Sequence, residues 1–200
     1  MLIIGIDEVG RGPLAGPVVA AAVAFRPGYS NSAIKDSKQL SAKKREALFE
    51  EILNACCAWS AVAVGHHRIA QINIRGATKR AMELALRRVQ ATLAVRGEET
   101  GLVLIDGNME IGTTLPQRTV IKGDSLHIEI SAASIVAKVY RDRLMQILET
   151  RFPGYGLGLH AGYPTAMHRA AIERIGPCPI HRRTFRGVRE FLPFVTNTAL

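Results

Sequence analysis

Two adjacent acids, Asp7 and Glu8, close the apolar run Leu2-Ile3-Ile4-Gly5-Ile6, and Gly10-Arg11-Gly12-Pro13 follows almost at once. A second apolar run, Leu102-Val103-Leu104-Ile105, ends in Asp106 and Gly107, and Asp124 follows Gly123 just ahead of a helical stretch. Two strand-like runs that both end in Asp beside Gly bring carboxylates to one edge of a sheet, where ligands bind in open α/β folds. Clustered carboxylates repel one another, so some protonate unless a cation balances them. Hard divalent cations take oxygen ligands, and Mg²⁺ commonly uses one or two carboxylates together with substrate phosphates. A pair of such ions clamps an in-line displacement at phosphorus. The chemistry indicated is metal-assisted phosphodiester hydrolysis. Asp142, between Arg141 and Arg143, reads instead as a surface ion-pair partner, and Asp36 as a residue orienting the loop around Lys38.

The rest of the composition agrees with a polyanionic substrate. The chain of 200 residues carries a formal net charge of +9, with 48% hydrophobic and 22% charged residues. That is a globular profile with material for a full core, and the basic excess favours a nucleic acid partner. The basic surface holds the phosphate backbone and the acidic cluster holds the ions that cut it. No run approaches the roughly 20 apolar residues of a membrane span, and the N-terminus lacks a signal-peptide layout. No membrane partner and a cytoplasmic location are expected. Cys56, Cys57 and Cys178 form no C-x-x-C and read as free thiols.

Two rival motifs fail on context. Gly10-Arg-Gly12-Pro-Leu-Ala15 matches a dinucleotide-binding fingerprint, but Pro13 and Pro17 flank it and a strand-like run follows where a helix must open. His66, His67, His160, His168 and His181 lack the cysteine or H-E-x-x-H context of a zinc site.

The elements that must position the acids alternate between strand and helix. Strands are expected over 2–7, 18–26, 59–64, 101–106 and 118–121, with a Gly/Pro loop over 10–17. Ser41 is placed to cap a helix running to about Asn54, and Ile74 to Val95 reads as a long helix. A second long helix spans 128–150, with Ile128, Ala132, Ile135, Val136, Val139 and Leu144 on its apolar face. A Pro/Gly-rich loop over 153–164, a helix over about 165–175 and a short basic tail, His181-Arg182-Arg183, complete the chain. The expected class is α/β. One domain is expected, with a core to about residue 150 and a C-terminal helical and loop extension over 151–200.

The ordered blocks Asp7-Glu8-Val9-Gly10-Arg11-Gly12-Pro13, Lys35-Asp36-Ser37-Lys38, Ile105-Asp106-Gly107-Asn108, Lys122-Gly123-Asp124-Ser125, Ala132 to Lys138 with Arg141-Asp142, Gly162-Tyr163 and Cys178-Pro179-Ile180-His181-Arg182 run through nearly the whole chain. In them the chain resembles bacterial ribonuclease HII, the type 2 ribonuclease H family. The resemblance implies a ribonuclease H-like layered fold, a central mixed sheet flanked by helices. It implies hydrolysis of the RNA strand of RNA–DNA hybrids and cleavage 5′ of single ribonucleotides in duplex DNA, with Mn²⁺ or Mg²⁺. Carried over, the metal-binding acids are Asp7, Glu8 and Asp106, with Asp124 as the fourth and Asp142 as its alternative. Gly10, Arg11 and Gly12 contact the ribonucleotide 2′-hydroxyl, which is what distinguishes RNA from DNA. Tyr163 packs on the neighbouring deoxyribose, and Ser37 and Lys38 touch the backbone. The chain departs from the family pattern at Val9 and at Leu159, Ala161 and Pro164, where Ala, Lys, Lys and Gly are common. A monomer is expected. A non-catalytic nucleic-acid binder leaves the acids without a purpose, and a DNA-cutting nuclease on the same core has no need of a ribose reader.

Overall fold

The computed structural model describes residues 1–35, 37 and 40–192. Asp36, the expected backbone contact Lys38, and the C-terminal residues from Pro193 lie outside the described residues. The strands are β1 (Leu2–Val9), β2 (Val18–Ala24), β3 (Ala58–Val64), β4 (Thr100–Asp106) and β5 (Gln117–Val120). The helices are α1 (Ala42–Ala55), α2 (His66–Val95), α3 (Ile128–Arg151), α4 (Leu157–His160) and α5 (Ala166–Ile175). The sheet runs β3-β2-β1-β4-β5. β1 pairs antiparallel with β2 and parallel with β4, so the sheet is mixed. Among the described residues no helix is long and apolar enough to cross a membrane.

Strand β2, Val-Val-Ala-Ala-Ala-Val-Ala, is buried along its whole length. Ala20 and Ala22 face one core with Ala81, Met82, Ala85 and Leu86 of α2. Val19, Ala21 and Val23 face the other with Ala132, Ala133 and Val136 of α3 and Leu48, Phe49 and Ile52 of α1. Small side chains on both faces let a helix approach each side of the strand. On β1 the approach is closer still. A Cβ at Gly5 would lie 2.1 Å from the Glu129 carbonyl carbon, so α3 crosses β1 backbone to backbone at this glycine. One turn further along α3, Ser134 then stands over Asp7. A third cluster, around Leu14, Met145, Tyr155, Leu157, Ile172 and Val188, fastens the C-terminal part to α3.

The expected elements are present, with four differences, the first being that β2 ends at Ala24 rather than at 26. β1 continues to Val9 rather than ending at Asp7. Helix α2 begins at His66, and Asn73 (φ 56°, ψ 175°) breaks it where the expected helix began. The Asn73 side chain accepts a hydrogen bond from Gly76 N–H at 3.0 Å and so caps the second segment. The first segment buries only Ile69, too little for an apolar stripe. The four-residue α4 lies inside the expected loop over 153–164 and is too short for a periodicity. Ser41 caps α1 as expected, accepting from Lys44 N–H.

Candidate active site

The parallel ladder between β1 and β4 ends at the rung Ile6↔Ile105. Asp7 and Asp106 are the next residue on each strand. Partners in a parallel ladder share a face, so the two carboxylates emerge side by side at the carboxyl ends of adjacent strands. On the other side β1 stays paired with β2 through Asp7↔Ala21, Glu8↔Ala20 and Val9↔Val19. Regular pairing therefore stops at the acids on the β4 side only. Asp7 and Glu8 meet the same opening because β1 overhangs its neighbour there.

Asp7 is 5% exposed. Its Oδ1 accepts the Glu8 N–H at 2.7 Å. Burial pushes its carboxyl well above the usual carboxylate range; the charges of Glu8 and Asp106 push the same way, and hydrogen bonds from Ser134 and the Glu8 amide oppose them. Ser134 Oγ lies 2.9 Å from Ser37 Oγ. Ser37, an expected substrate contact, is thus buried against the serine that supports Asp7. Asp106 Oδ1 accepts the Gly123 N–H at 2.8 Å, which fixes it from the turn after β5.

A cleft of about 320 Å³ opens over these groups. Asp7, Glu8, Asp106, Gly10, Arg11, Gly12, Ser37 and Tyr163, eight of the ten expected site residues, line it together. Asp124 is buried one residue beyond Gly123 and, among the described residues, is not part of the cleft wall. The backbone carbonyl of Asp124 accepts the Ser131 hydroxyl at 2.7 Å. Asp142 pairs with Lys138 at 2.6 Å, as a helical ion-pair partner at i,i+4. A larger groove of about 790 Å³ beside Tyr29 and His127 has Glu51 as its one lining acid among the described residues.

Several wall residues carried no site expectation. Lys138 lines the cleft one turn after Ser134, and Arg45 lines it while donating to the Ser37 carbonyl at 3.0 Å. Beneath the Gly10–Gly12 loop lie two buried arginines. Arg182 donates to the carbonyls of Gly10 (2.6 Å), Arg11 (2.8 Å) and Gly16 (3.0 Å). Burial, reinforced by Arg141, pulls its pKa down to about 9, so it stays cationic at neutral pH. Arg141 donates to Pro17 O at 3.0 Å and stacks 5.8 Å from the Tyr163 ring centroid. The signal that could have marked Lys138 is its spacing, since Ser134, Lys138 and Arg141 follow one another along one helix face. Arg182 gave no such signal; in the sequence it is part of a basic tail.

Tyr163 is 38% exposed, with its ring near Gly12, where a Cβ would meet it at 3.8 Å. Its carbonyl is held by His168 Nδ1 at 3.0 Å. Of the positions that depart from the family pattern, Leu159 is exposed and Ala161 sits in the left-handed region (φ 49°).

The carboxylate oxygens of Asp7, Glu8 and Asp106, which share the cleft, suit a hard cation. Among the described residues no group of three or more His, Cys, Asp or Glu side chains is arranged to hold a metal ion, so the acids alone do not make a complete metal cage. An open, carboxylate-only site matches an ion that keeps water and takes phosphate oxygens as ligands.

Comparison with known proteins identifies the family. The family model for Ribonuclease HII matches residues 4–188. The Ribonuclease HII of Syntrophotalea carbinolica is 47% identical over 190 residues, covering 95% of this chain and 88% of that protein. The ribonuclease H2 of Pyrococcus horikoshii OT3 superposes with a TM-score of 0.79 at 24% identity, covering 96% of this chain and 97% of that one. Bst-RNase HIII, solved in complex with Mn²⁺, does so with a TM-score of 0.72 at 21% identity, covering 95% and 68%. The last two likenesses speak to the fold, which is ribonuclease H-like. With a family match that spans nearly every element described above, the chain belongs to the ribonuclease HII family and is a nuclease of the ribonuclease H type.

Proposed function

We propose that the ribonuclease H activity of this family on RNA–DNA hybrids extends, in this chain, to single ribonucleotides embedded in duplex DNA. They are cut on the 5′ side, leaving 3′-hydroxyl and 5′-phosphate ends. The observation that carries the reading is the adjacency of Asp7 and Asp106, one residue past the rung Ile6↔Ile105, to a loop of Gly10-Arg11-Gly12 in the same cleft.

Asp7, Glu8 and Asp106 are the residues that would hold two divalent ions, Mn²⁺ or Mg²⁺, with Asp124 next to the Asp106 anchor. When bound, such ions lower the pKa of the attacking water and balance charge on the leaving 3′-oxygen. The protein does the rest. Ser134 and the Glu8 amide orient Asp7, and Gly123 N–H orients Asp106. The Gly10-Arg11-Gly12 loop, with no Cβ at Gly10 or Gly12, brings backbone close to the ribose and reads its 2′-hydroxyl. Arg11 and Lys138 set positive charge on the cleft wall for phosphate. Tyr163 offers a half-exposed ring to the neighbouring deoxyribose, and Ser37 and Lys38 belong to the loop along the backbone.

The test is Asp7→Asn. Cleavage of a duplex with one ribonucleotide is expected to fall by about three orders of magnitude, while binding of the duplex stays within about threefold because the phosphate contacts are untouched. Retained cleavage would remove Asp7 from the reaction.

A further inference from the structure

Arg182 is 1% exposed, and among the described residues it meets no carboxylate within ion-pair distance. Burying a guanidinium without a counter-charge is costly, and only several good hydrogen bonds offset it. Those bonds all go to one segment. Nη2 donates to Gly10 O, Nη1 to Arg11 O and Nε to Gly16 O, and the Arg182 backbone N–H donates to Leu14 O at 2.7 Å. The Phe185 ring lies 5.0 Å from its guanidinium carbon. Apolar packing would hold a loop at less cost, so what the guanidinium adds is direction.

The peptides following Gly10 and Arg11 are trans. In a trans peptide the C=O of one residue and the N–H of the next point in opposite senses. With the Gly10 and Arg11 carbonyls turned inward onto Arg182, the N–H groups of Arg11 and Gly12 turn away from it. Gly10, Arg11 and Gly12 line the cleft and Arg182 does not, so that direction is the cleft. Gly10 adopts φ +89°, and a Cβ there would lie 2.2 Å from Arg141 Nε, so the second buried arginine occupies the place of a side chain and closes off the alternative loop position. Arg141 in turn stacks on Tyr163.

We propose that Arg182 is the positioning residue of the ribose-reading loop: by holding the carbonyls of Gly10 and Arg11 inward, it aims the Arg11 and Gly12 N–H groups at the 2′-oxygen of the ribonucleotide. This rests on the proposed function. It makes selectivity for ribose depend on a side chain that never touches the substrate.

The experiment compares Arg182→Met and Arg182→Lys with the unchanged chain. Affinity is measured by fluorescence anisotropy, with Ca²⁺ replacing the catalytic ion, for two duplexes that differ only by one 2′-hydroxyl. The readout is the ratio of the two affinities. In Arg182→Met the preference for the ribonucleotide duplex is expected to fall about tenfold, with affinity for the all-DNA duplex unchanged. Arg182→Lys, which keeps the charge but cannot serve three carbonyls at once, is expected to lie between. A partly unfolded sample weakens both duplexes equally and leaves the ratio intact, so a ratio preserved in both variants overturns the proposal. If Arg182→Met does not fold, Arg182→Lys decides alone. If the unchanged chain itself shows no preference, the ribose-reading function fails, and the role of Arg182 with it.

Discussion

His168 and His181 meet Nε2 to Nε2 at 3.0 Å in the interior beneath Tyr163. One of the two nitrogens must donate. The Tyr163 carbonyl, 3.0 Å from His168 Nδ1, can only accept, so neutral His168 has its proton on Nδ1 and its Nε2 accepts from His181 Nε2–H, which leaves His181 Nδ1 to accept from Cys178 N–H at 3.0 Å. The Cys178 carbonyl also lies 3.2 Å from His181 Nδ1, and burial is what favours the neutral rings. Burial, then the charge of His168, pulls the His181 pKa down to about 4, and burial lowers that of His168 as well. His160 stacks on His168 at 4.6 Å, Tyr155 lies 4.8 Å from His181, and the Cys178 thiol is 3.1 Å from His181 Nδ1.

A pH dependence of stability follows. The folded pKa of His181 lies below its unfolded value of about 6.5, so the unfolded chain takes up the proton first as pH falls. Stability is complete above about pH 6.5 and is lost as pH falls toward about 4. Between pH 7.5 and 5 the loss is expected to be about 1–2 kcal/mol. Asp7, whose pKa is raised, acts in the opposite sense. The measurement is therefore the difference in thermal midpoint between the unchanged chain and His181→Gln at the two pH values. Equal pH slopes in the two proteins contradict the relay.

Asp7→Asn is expected to raise stability in the absence of divalent ions, by about 1–2 kcal/mol, because it removes a buried charge repelled by Glu8 and Asp106. For a chain of this size that is a rise of about 2–8 °C in midpoint. Addition of Mn²⁺ is expected to raise the midpoint of the unchanged chain and to leave the variant nearly where it was. An equal Mn²⁺ shift in both proteins would place the ion elsewhere.

Gly5→Ala tests how α3 is set on β1. The added methyl would meet backbone, the Glu129 carbonyl carbon at 2.1 Å, and backbone cannot swing aside as a side chain does. A destabilisation above about 3 kcal/mol is expected, with activity lost in step because Ser134 moves off Asp7. A variant with an unchanged melting midpoint contradicts the contact.

Gly65→Ser is expected to act in the other direction. Gly65 caps α2 at φ −75° and makes no side-chain cap bond, and a Cβ added to it would meet nothing within 4 Å. A serine hydroxyl there can accept from the first-turn amides, with a gain of a few tenths to about 1 kcal/mol in stability, read by chemical denaturation. A loss of stability would mean that the first turn of α2 is not held as described.

Much of this site was legible in the sequence because its parts are local. Asp7-Glu8 after an apolar run, Asp106 after another, and glycines at Gly10 and Gly12 each announce themselves within a few residues. What joins them was not. That Asp7 and Asp106 stand side by side depends on the pairing of β1 with β4, with the whole of β2, α1, β3 and α2 between them in sequence. The support of Asp7 by Ser134 depends on how closely α3 can approach Gly5. Arg182 read as part of a basic tail, because burial of a charge among the carbonyls of residues 10–16 is a tertiary event with no periodicity. His66 to Ile72 escaped because a helix with one buried side chain carries no stripe. Asp124 stands just ahead of α3, as its place in the sequence indicates, but its burial behind Gly123 is a tertiary feature with no local sign.

The most direct measurement uses a labelled DNA duplex with one ribonucleotide, Mg²⁺ or Mn²⁺, and an all-DNA control. A single cut 5′ of the ribonucleotide, with the control intact, is the predicted result. Equal cutting of the control would contradict it, because the carboxylates at the ends of β1 and β4 would then be at work without any reading of the 2′-hydroxyl by Gly10, Arg11 and Gly12.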